Sequence, residues 1–477
     1  SNVKYSTIVC VPRDLWIRIP VLRIVMNLLC LNRKNLTIMF GLVFLVVVGA
    51  SACTSSDFEP ESAPAPAPAP APTVAPVTAP APASPAPVAP APVVAQTAVP
   101  TEFAPTPSPE PTLAFVVPPS GFTDKDLAPE ITESGEWINS EPLTLAGLRD
   151  EGKVVLVDFW TFTCINCIRT LPYMKEWQEK YADHGLVILG VHTPEFAFEH
   201  IYENVVEAVE EFGLEYPNVQ DNDFGTWRAF SNRYWPAKYL VDVNGYIRYS
   251  HFGEGAYEET EMQIRDLLLE AGYDLEGISV NTAPEPQIDP DSDVTDAEMS
   301  RTRELYAGYE RNYSTLRSFT TPPYIRHVEY YEVKDEAVEY TDPGEHENHF
   351  LYLHGLWKNE ADNLVHAQVT KDHEDYIALK FFGTSVNAVM APDTGEPYQV
   401  KITLNDEPVE MNRAGADMQY DDEGNSFVHV DQARMYFLLD QDTYSGGELK
   451  LSSNSAEFAL FAFTFGSYQG GEPVKGS

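Results

Sequence analysis

The run Val154, Val155, Leu156, Val157, Asp158, Phe159, Trp160 is apolar without alternation except for one acid. Such a run predicts a strand covered on both faces, and residues 186–192 (L-V-I-L-G-V-H) read as a second of the same kind. Between them Ile168, Leu171, Met174, Trp177 and Tyr181 recur at helical spacing. Residues 196–212 place Ile201, Val205, Ala208, Val209 and Phe212 on one side and read as a helix. Residues 240–243 and 246–252, joined by Asn244-Gly245, read as a hairpin with a type I′ turn, and a final helix follows to about Ala271. Ahead of the first strand, the segments around Ile131, Trp137-Ile138 and Leu143-Leu145 read as a short hairpin. Strands alternating with helices predict an α/β domain over 121–277, a partly parallel sheet flanked by helices.

Beyond 300 the pattern changes. Residues 400–404 (V-K-I-T-L) and 461–465 (F-A-F-T-F) alternate apolar with polar or small residues, as do Ile377, Leu379 and Phe381. Turn residues separate these runs at short intervals, which predicts an all-β sandwich over 301–470. The acidic, proline-bearing stretch 278–300 reads as a linker. Residues 54–120 are dominated by Pro-Ala repeats, which forbid helix and sheet and favour an extended rod. At ~3.1 Å per residue, roughly 60 residues of it, from Glu59 to about Ser120, reach on the order of 190 Å. Residues 1–53 read as a leader: Arg33 and Lys34 precede the apolar core at 36–52, and Met26 is a plausible true start.

Charge narrows the function classes. The 477 residues carry a formal charge of −41, which argues against nucleic acid as a partner because its phosphates would be repelled. Five cysteines are present. Cys10, Cys30 and Cys53 lie in the leader, so Cys164 and Cys167 are the pair belonging to a folded part. A cysteine at the first turn of a helix has its sulfur near unpaired backbone N–H groups, which favours the thiolate. The second, three residues on, lies on the same face within reach of a mixed disulfide formed by the first. Cys164 therefore reads as the attacking thiol and Cys167 as the resolving thiol. Other readings are half of a zinc site, which lacks a second ligand pair, and an inert pair. A thiol peroxidase is a further one: Thr161-x-x-Cys164 suits it, but the proline it needs upstream is replaced by Val157. Asp158 reads as a costly buried carboxylate with a task, or as a satisfied polar group.

The block 158–172, with D-F-W, the Cys-x-x-Cys pair and Pro172, resembles the thioredoxin superfamily. The extra helix after the second strand is similar to the insertion of TlpA-like thioredoxins. With G-V-H-T-P-E-F-A-F-E from Gly190, Y-W-P-A-K-Y-L from Tyr234, H-F-G-E-G from His251, G-A-D-M from Gly415 and F-A-F-T-F-G from Phe461, the chain resembles the DipZ family of thiol-disulfide interchange proteins. The resemblance implies a thioredoxin-like α/β fold, a mixed sheet flanked by helices, followed by an all-β domain like a carbohydrate-binding module. It implies that Asp158 moves the proton on and off Cys167, that Pro172 kinks the active-site helix, and that Pro236 is cis and, beside Trp235, presents backbone to substrate. It implies no cofactor. The family's multi-helix membrane domain is replaced here by a leader and spacer, so a separate membrane electron donor, such as a CcdA/DsbD-like protein, is expected.

The expected function is thiol:disulfide exchange on protein disulfides or dithiols. Ala50-Ser51-Ala52-Cys53 resembles a lipobox, with Cys53 as the lipidation site, and predicts an extracytoplasmic, membrane-anchored protein. Ala50 and Ala52 equally make an ordinary cleavage site for a secreted form, and an uncleaved anchor is the third possibility. The competing function is a glycan- or protein-binding surface lipoprotein in which the β-domain carries the main role, with Trp357 either stacking on sugar or lying in the core. His184, His192 and His251 are candidates for proton transfer or packing, and Phe196, Trp235 and Tyr239 for a substrate rim or the core.

Overall fold

The computed structural model describes residues 127–132, 135–281, 284–314 and 323–473. The leader, its lipidation candidate Cys53 and the Pro-Ala spacer lie outside the described residues.

The first sheet contains β1 (Trp137–Ile138), β2 (Val154–Trp160), β3 (Leu186–His192), β4 (Asn218–Gln220), β5 (Ala237–Val241) and β6 (Ile247–Phe252), in the order β1-β4-β3-β2-β5-β6. β2, β3 and β4 are parallel, and β5 joins β2 antiparallel. This is a mixed, thioredoxin-like sheet. Helices α1 (Leu145–Asp150), α2 (Ile165–Tyr181), α3 (Tyr202–Glu211), α4 (Gly225–Ala229) and α5 (Tyr257–Glu270) cover it. One face packs on α2, α3 and α5 through Leu171, Met174, Trp177, Val205, Val209, Ile264 and Leu268. The other packs on α1 through Leu145 and Leu148, and against Trp227 of α4 and Phe230 just past it. Burial on both faces is why β2 and β3 read as unbroken apolar runs.

Two sequence expectations give way here. The segment ahead of β2 is not a hairpin: β1 pairs with β4, and residues from Leu145 form α1. Thr144 caps that helix by accepting from the Gly147 amide at 3.0 Å, while Glu130 accepts from the Leu145 and Ala146 amides at 2.6 and 3.1 Å. A carboxylate there complements the helix dipole. The helix expected over 196–212 is broken, with a 3-10 turn at Ala197–His200 and an extended Ile201 before α3. Glu199 causes the break, because its buried carboxylate turns back to accept from the Glu195 and Phe196 amides and from Thr163.

The second domain is all-β. Its strands are β7 (Leu305–Tyr306), β8 (Ala337–Tyr340), β9 (Leu351–Asn359), β10 (Leu364–His366), β11 (Tyr376–Pro392), β12 (Tyr398–Leu404), β13 (Glu407–Pro408), β14 (Met418–Tyr420), β15 (Ser426–Val430), β16 (Arg434–Ser452) and β17 (Phe458–Gly466). The long strands β9, β11 and β16 run through both layers. The first half of β11 pairs with β9 and its second half with β17, and β10 bridges β17 back to β9. The sheet thus folds onto itself around a core that includes Trp357, Phe381, Met390, Tyr436, Leu451 and Phe463. The acidic stretch after Gly277 is laid along this domain: Ile288 bridges Tyr468, and the Asp289 amide donates to the Ser467 carbonyl at 2.7 Å.

Strand β9 turns between layers at Gly355, whose φ is +91°. A Cβ there would sit 2.1 Å from the Asp375 carboxyl carbon, and that carboxylate binds the Leu356 amide, Gln368 and His366. Gly355→Ala is expected to destabilise the β-domain by about 2 kcal/mol or more, read as a lower midpoint in denaturant unfolding.

Candidate functional site

Alternation along β2 sends Val154, Leu156 and Trp160 to the α2 side of the sheet and Val155, Val157 and Phe159 to the other. Asp158 shares parity with the first set, so its carboxyl is aimed beneath α2. On β5 the same rule puts Lys238 with Leu240 on that face, and Lys238 is the register partner of Asp158. Both are essentially unexposed, at 1% and 0%. Neither Asp158 Oδ1 nor Lys238 Nζ has a hydrogen-bond partner, and the same is true of the buried Tyr216 hydroxyl.

Cys164 is the N-cap of α2, with extended backbone at φ −80° and ψ 112°, and its carbonyl accepts from the Ile168 amide at 3.0 Å. It is partly exposed and Cys167 is buried; both are free thiols. Pro172 lies within α2 and supplies no amide to the Ile168 carbonyl. Burial pushes the Cys167 thiol well up, and its hydrogen bond to Cys164, the Cys164 charge and the Asp158 carboxylate act in the same direction. Burial likewise pushes Asp158 up to about 7, against the pull of the Lys238 ammonium, and pushes Lys238 down, against the pull of Asp158. Three groups that titrate against one another, Asp158, Cys167 and Lys238, are packed into one dry layer. Tyr216, raised by burial and then by Asp158 and Cys167, borders it.

His192 is pulled down to about 3 by burial and by His200. It is a neutral ring stacked 5.6 Å from Phe162, edge-on to Trp160 at 5.1 Å, with Nε2 3.3 Å from the Thr161 hydroxyl. That is packing, not proton transfer. Tyr239 lies in the core against Phe159 and Phe230, on the far side of the sheet from α2, and is no part of a rim. The Trp235–Pro236 peptide is cis. Trp235 is half-buried, packs on Trp227 at 4.3 Å and donates Nε1 to the Thr193 carbonyl at 3.0 Å.

The β-domain reaches this site. A cavity of about 80 Å³ beside Cys164 is lined by Thr163, Asn166, Glu195, Phe196 and Trp235 and, from the β-domain side, by Glu304, Tyr306, Val389, Ala462 and Thr464. Ile165 and Ile168, exposed by 2% and 5%, share an apolar cluster with Val389, Met435, Phe461 and Ala462. The Tyr306 hydroxyl lies 3.1 Å from Glu195 and 3.2 Å from Glu304, and Arg311 pairs with Glu195 at 3.1 Å. Burial pushes both carboxyls up, with Arg311 opposing this at Glu195. Arg169 of α2 donates twice to Glu472, at 2.6 and 2.8 Å, and once each to Asn166 and Glu254. Burial works against its charge, and Glu472 and Glu254 more than offset it. A larger interdomain cleft of about 650 Å³ has Phe198, Phe212, Met435 and Phe437 among its apolar lining and Glu207, Glu211, Glu360 and Asp431 among its acids. Among the described residues no group of three or more His, Cys, Asp or Glu is placed to hold a metal ion.

The structure thus brings Cys164, Cys167, Asp158 and Trp235 together, with Pro236 next in the chain. Lys238, Tyr216, Arg169 and the β-domain wall were missed by sequence reasoning. Lys238 had a signal, a lone lysine within the otherwise apolar A-K-Y-L-V. Arg169 and Glu472 had none, being 303 positions apart.

Residues 125–250 match the AhpC/TSA family, and residues 302–466 match the family described as a thioredoxin like C-terminal domain. Protein DipZ of Mycobacterium bovis is 44% identical over 163 residues, covering 33% of this chain and 23% of DipZ. The chain therefore spans about a quarter of that relative's length. The thiol-disulfide oxidoreductase YkuV of Bacillus subtilis is 30% identical over 142 residues, covering 30% of this chain and 94% of YkuV. A thioredoxin-like protein solved in its oxidised form is 27% identical, with a TM-score of 0.29, and covers 31% of this chain and 99% of that one.

The raised Asp158 carboxyl has a consequence for stability. A carboxyl whose folded value lies near 7, above its usual 3.8, contributes stability that is fully present below about pH 3.8 and is lost as pH rises through 7. Asp158→Asn is expected to remove this slope, so that stability relative to wild type rises by a few kcal/mol between pH 4 and 8. Denaturant unfolding of the reduced protein across that range measures it.

Proposed function

Because the chain belongs to the thioredoxin-like thiol-disulfide oxidoreductases, we propose that it exchanges dithiols and disulfides with protein substrates through Cys164 and Cys167. The observation that carries this reading is the asymmetry of the pair: Cys164 is partly exposed at a helix N-terminus and opens on a cavity, while Cys167 is buried behind it, its thiol pushed up by burial, by Cys164 and by the Asp158 carboxylate.

The Cys164 thiolate attacks one sulfur of a substrate disulfide. A bond forms between Cys164 and that sulfur, the substrate S–S bond breaks, and the second substrate sulfur leaves as a thiolate and takes a proton from solvent. Cys167 then attacks Cys164. Its thiol proton passes to Asp158, whose carboxyl, poised near 7, can accept and return it at neutral pH. The Cys164–Cys167 disulfide forms, and the first substrate sulfur leaves reduced. Two electrons have passed to the substrate, and an external dithiol must restore the pair. Run backwards, the same groups oxidise a substrate dithiol. The Lys238 ammonium attracts the Asp158 carboxylate when it forms, limiting the cost of a charge in that dry layer. Trp235 and Pro236 present backbone to the substrate segment beside Cys164.

We place this chemistry outside the cytoplasm, on a protein anchored through Cys53 and supplied by a separate CcdA/DsbD-like membrane donor. The basic and apolar leader, the lipobox-like Ala50-Ser51-Ala52-Cys53 and the Pro-Ala run support that placement. The glycan-binding reading loses its aromatic candidate, because Trp357 is fully buried with Nε1 donated to the His354 carbonyl at 2.8 Å. The AhpC/TSA match and Thr161-x-x-Cys164 favour a thiol peroxidase as the second reading, and consumption of hydrogen peroxide at a rate exceeding disulfide exchange would select it.

In single-turnover mixing of reduced protein with a small aryl disulfide, Cys164→Ser is expected to abolish the fast phase. Cys167→Ser should stop at a mixed disulfide visible by mass. Asp158→Asn should retain the first step and slow the second by about 10²-fold or more. A Cys164→Ser variant as fast as wild type would sink the mechanism.

A further inference from the structure

Cys164 is the partly exposed N-cap of α2, so a substrate disulfide has to approach the first turn of that helix. That turn is covered. Ile165, the residue after Cys164, is 2% exposed, and Ile168 is 5% exposed. Both pack on the outer face of the layer formed by β10, β17, the second half of β11 and the start of β16, through Val365, Val389, Met435, Phe461 and Ala462. Phe461 stands edge-on to Phe196 at 5.3 Å and to Phe198 at 4.9 Å. This explains why every residue of β17 is buried although one of its faces points away from the β-domain core.

The contact is also fixed by charge. Arg169, itself buried, is held by both oxygens of Glu472, lies over the Tyr468 ring at 5.0 Å and donates to Asn166, a residue between the two cysteines. Ser385 donates to the same Glu472 carboxylate at 2.9 Å. Domains that share only a small polar interface move freely; an apolar cluster with a buried bidentate ion pair opposes that.

What remains open beside Cys164 is the cavity of about 80 Å³ walled by Tyr306, Glu304, Val389, Ala462 and Thr464. A folded partner would have to bring its disulfide to Cys164 past the β-domain side chains that cover the first turn of α2 and wall this cavity. We infer that the β-domain is the second wall of the redox site, and that it restricts Cys164 to disulfides carried on an extended, unfolded segment of a protein, excluding those set in a folded surface. Tyr306, Val389, Ala462 and Thr464 are then specificity-determining residues, and the Arg169–Glu472 pair positions them.

This rests on the thiol-exchange reading above, and the experiment separates the two. Reduced full-length protein is mixed with three disulfides: a small aryl disulfide, a short flexible peptide closed by one disulfide, and a small folded protein with one surface disulfide. Cys164→Ser gives the background from the remaining cysteines. The flexible peptide is expected to react at least about tenfold faster than the folded protein, with a smaller ratio in Glu472→Gln because the folded substrate gains. If Glu472→Gln fails to fold, Tyr306→Ala widens the wall without touching the ion pair and should narrow the ratio in the same direction. Equal rates on peptide and folded protein in the wild type overturn the inference, as does a ratio that neither variant moves. Failure to react with the aryl disulfide overturns the exchange mechanism instead.

Discussion

Helix α2 is buried on two sides at once, and the rest of the site follows from that constraint. Its inner face, with Cys167, Leu171, Met174 and Trp177, completes the core over the first sheet. Its first turn, with Ile165 and Ile168, enters a second apolar cluster supplied mainly by the β-domain. A helix held this way has little freedom to roll, so the partial exposure of Cys164 and the burial of Cys167 are fixed by packing on both flanks. Arg169, on the same helix, must then keep its charge out of water, and two carboxylates supply the compensation.

Burial also sets the chemistry beneath the helix. Asp158, Cys167 and Lys238 each shift toward the neutral form, and each is restrained or pushed by the others. Protons in such a group belong to the set more than to a single residue, so substitution of one member retunes the rest. The dryness that raises Asp158 toward neutrality is supplied by the apolar side chains that make β2 a good central strand. Stability and proton handling draw on the same residues with opposite demands.

Much of this was legible in the chain because it is local. The unbroken apolar runs at β2 and β3, the spacing of Cys164 and Cys167 and the acid at Asp158 all express short-range rules. Helix α1 was illegible because its six residues include a glycine and its N-terminus is closed not by Thr144 alone but also by Glu130, fifteen positions before Leu145. The break before α3 depends on Glu199 binding Thr163 from another loop. The β-domain wall was hidden for a similar reason. Apolar residues such as Ile165 and Phe461 announce that they will be covered, but not by what.

The separation of 303 positions between Arg169 and Glu472 has a consequence in time. A chain made from its amino end can complete helix α2 long before Glu472 exists. During that interval Arg169 keeps its hydration and the thiol pair stands in an open groove. The nascent redox domain is therefore a less selective reagent than the finished protein, and discrimination arrives only with the last strands to be synthesised.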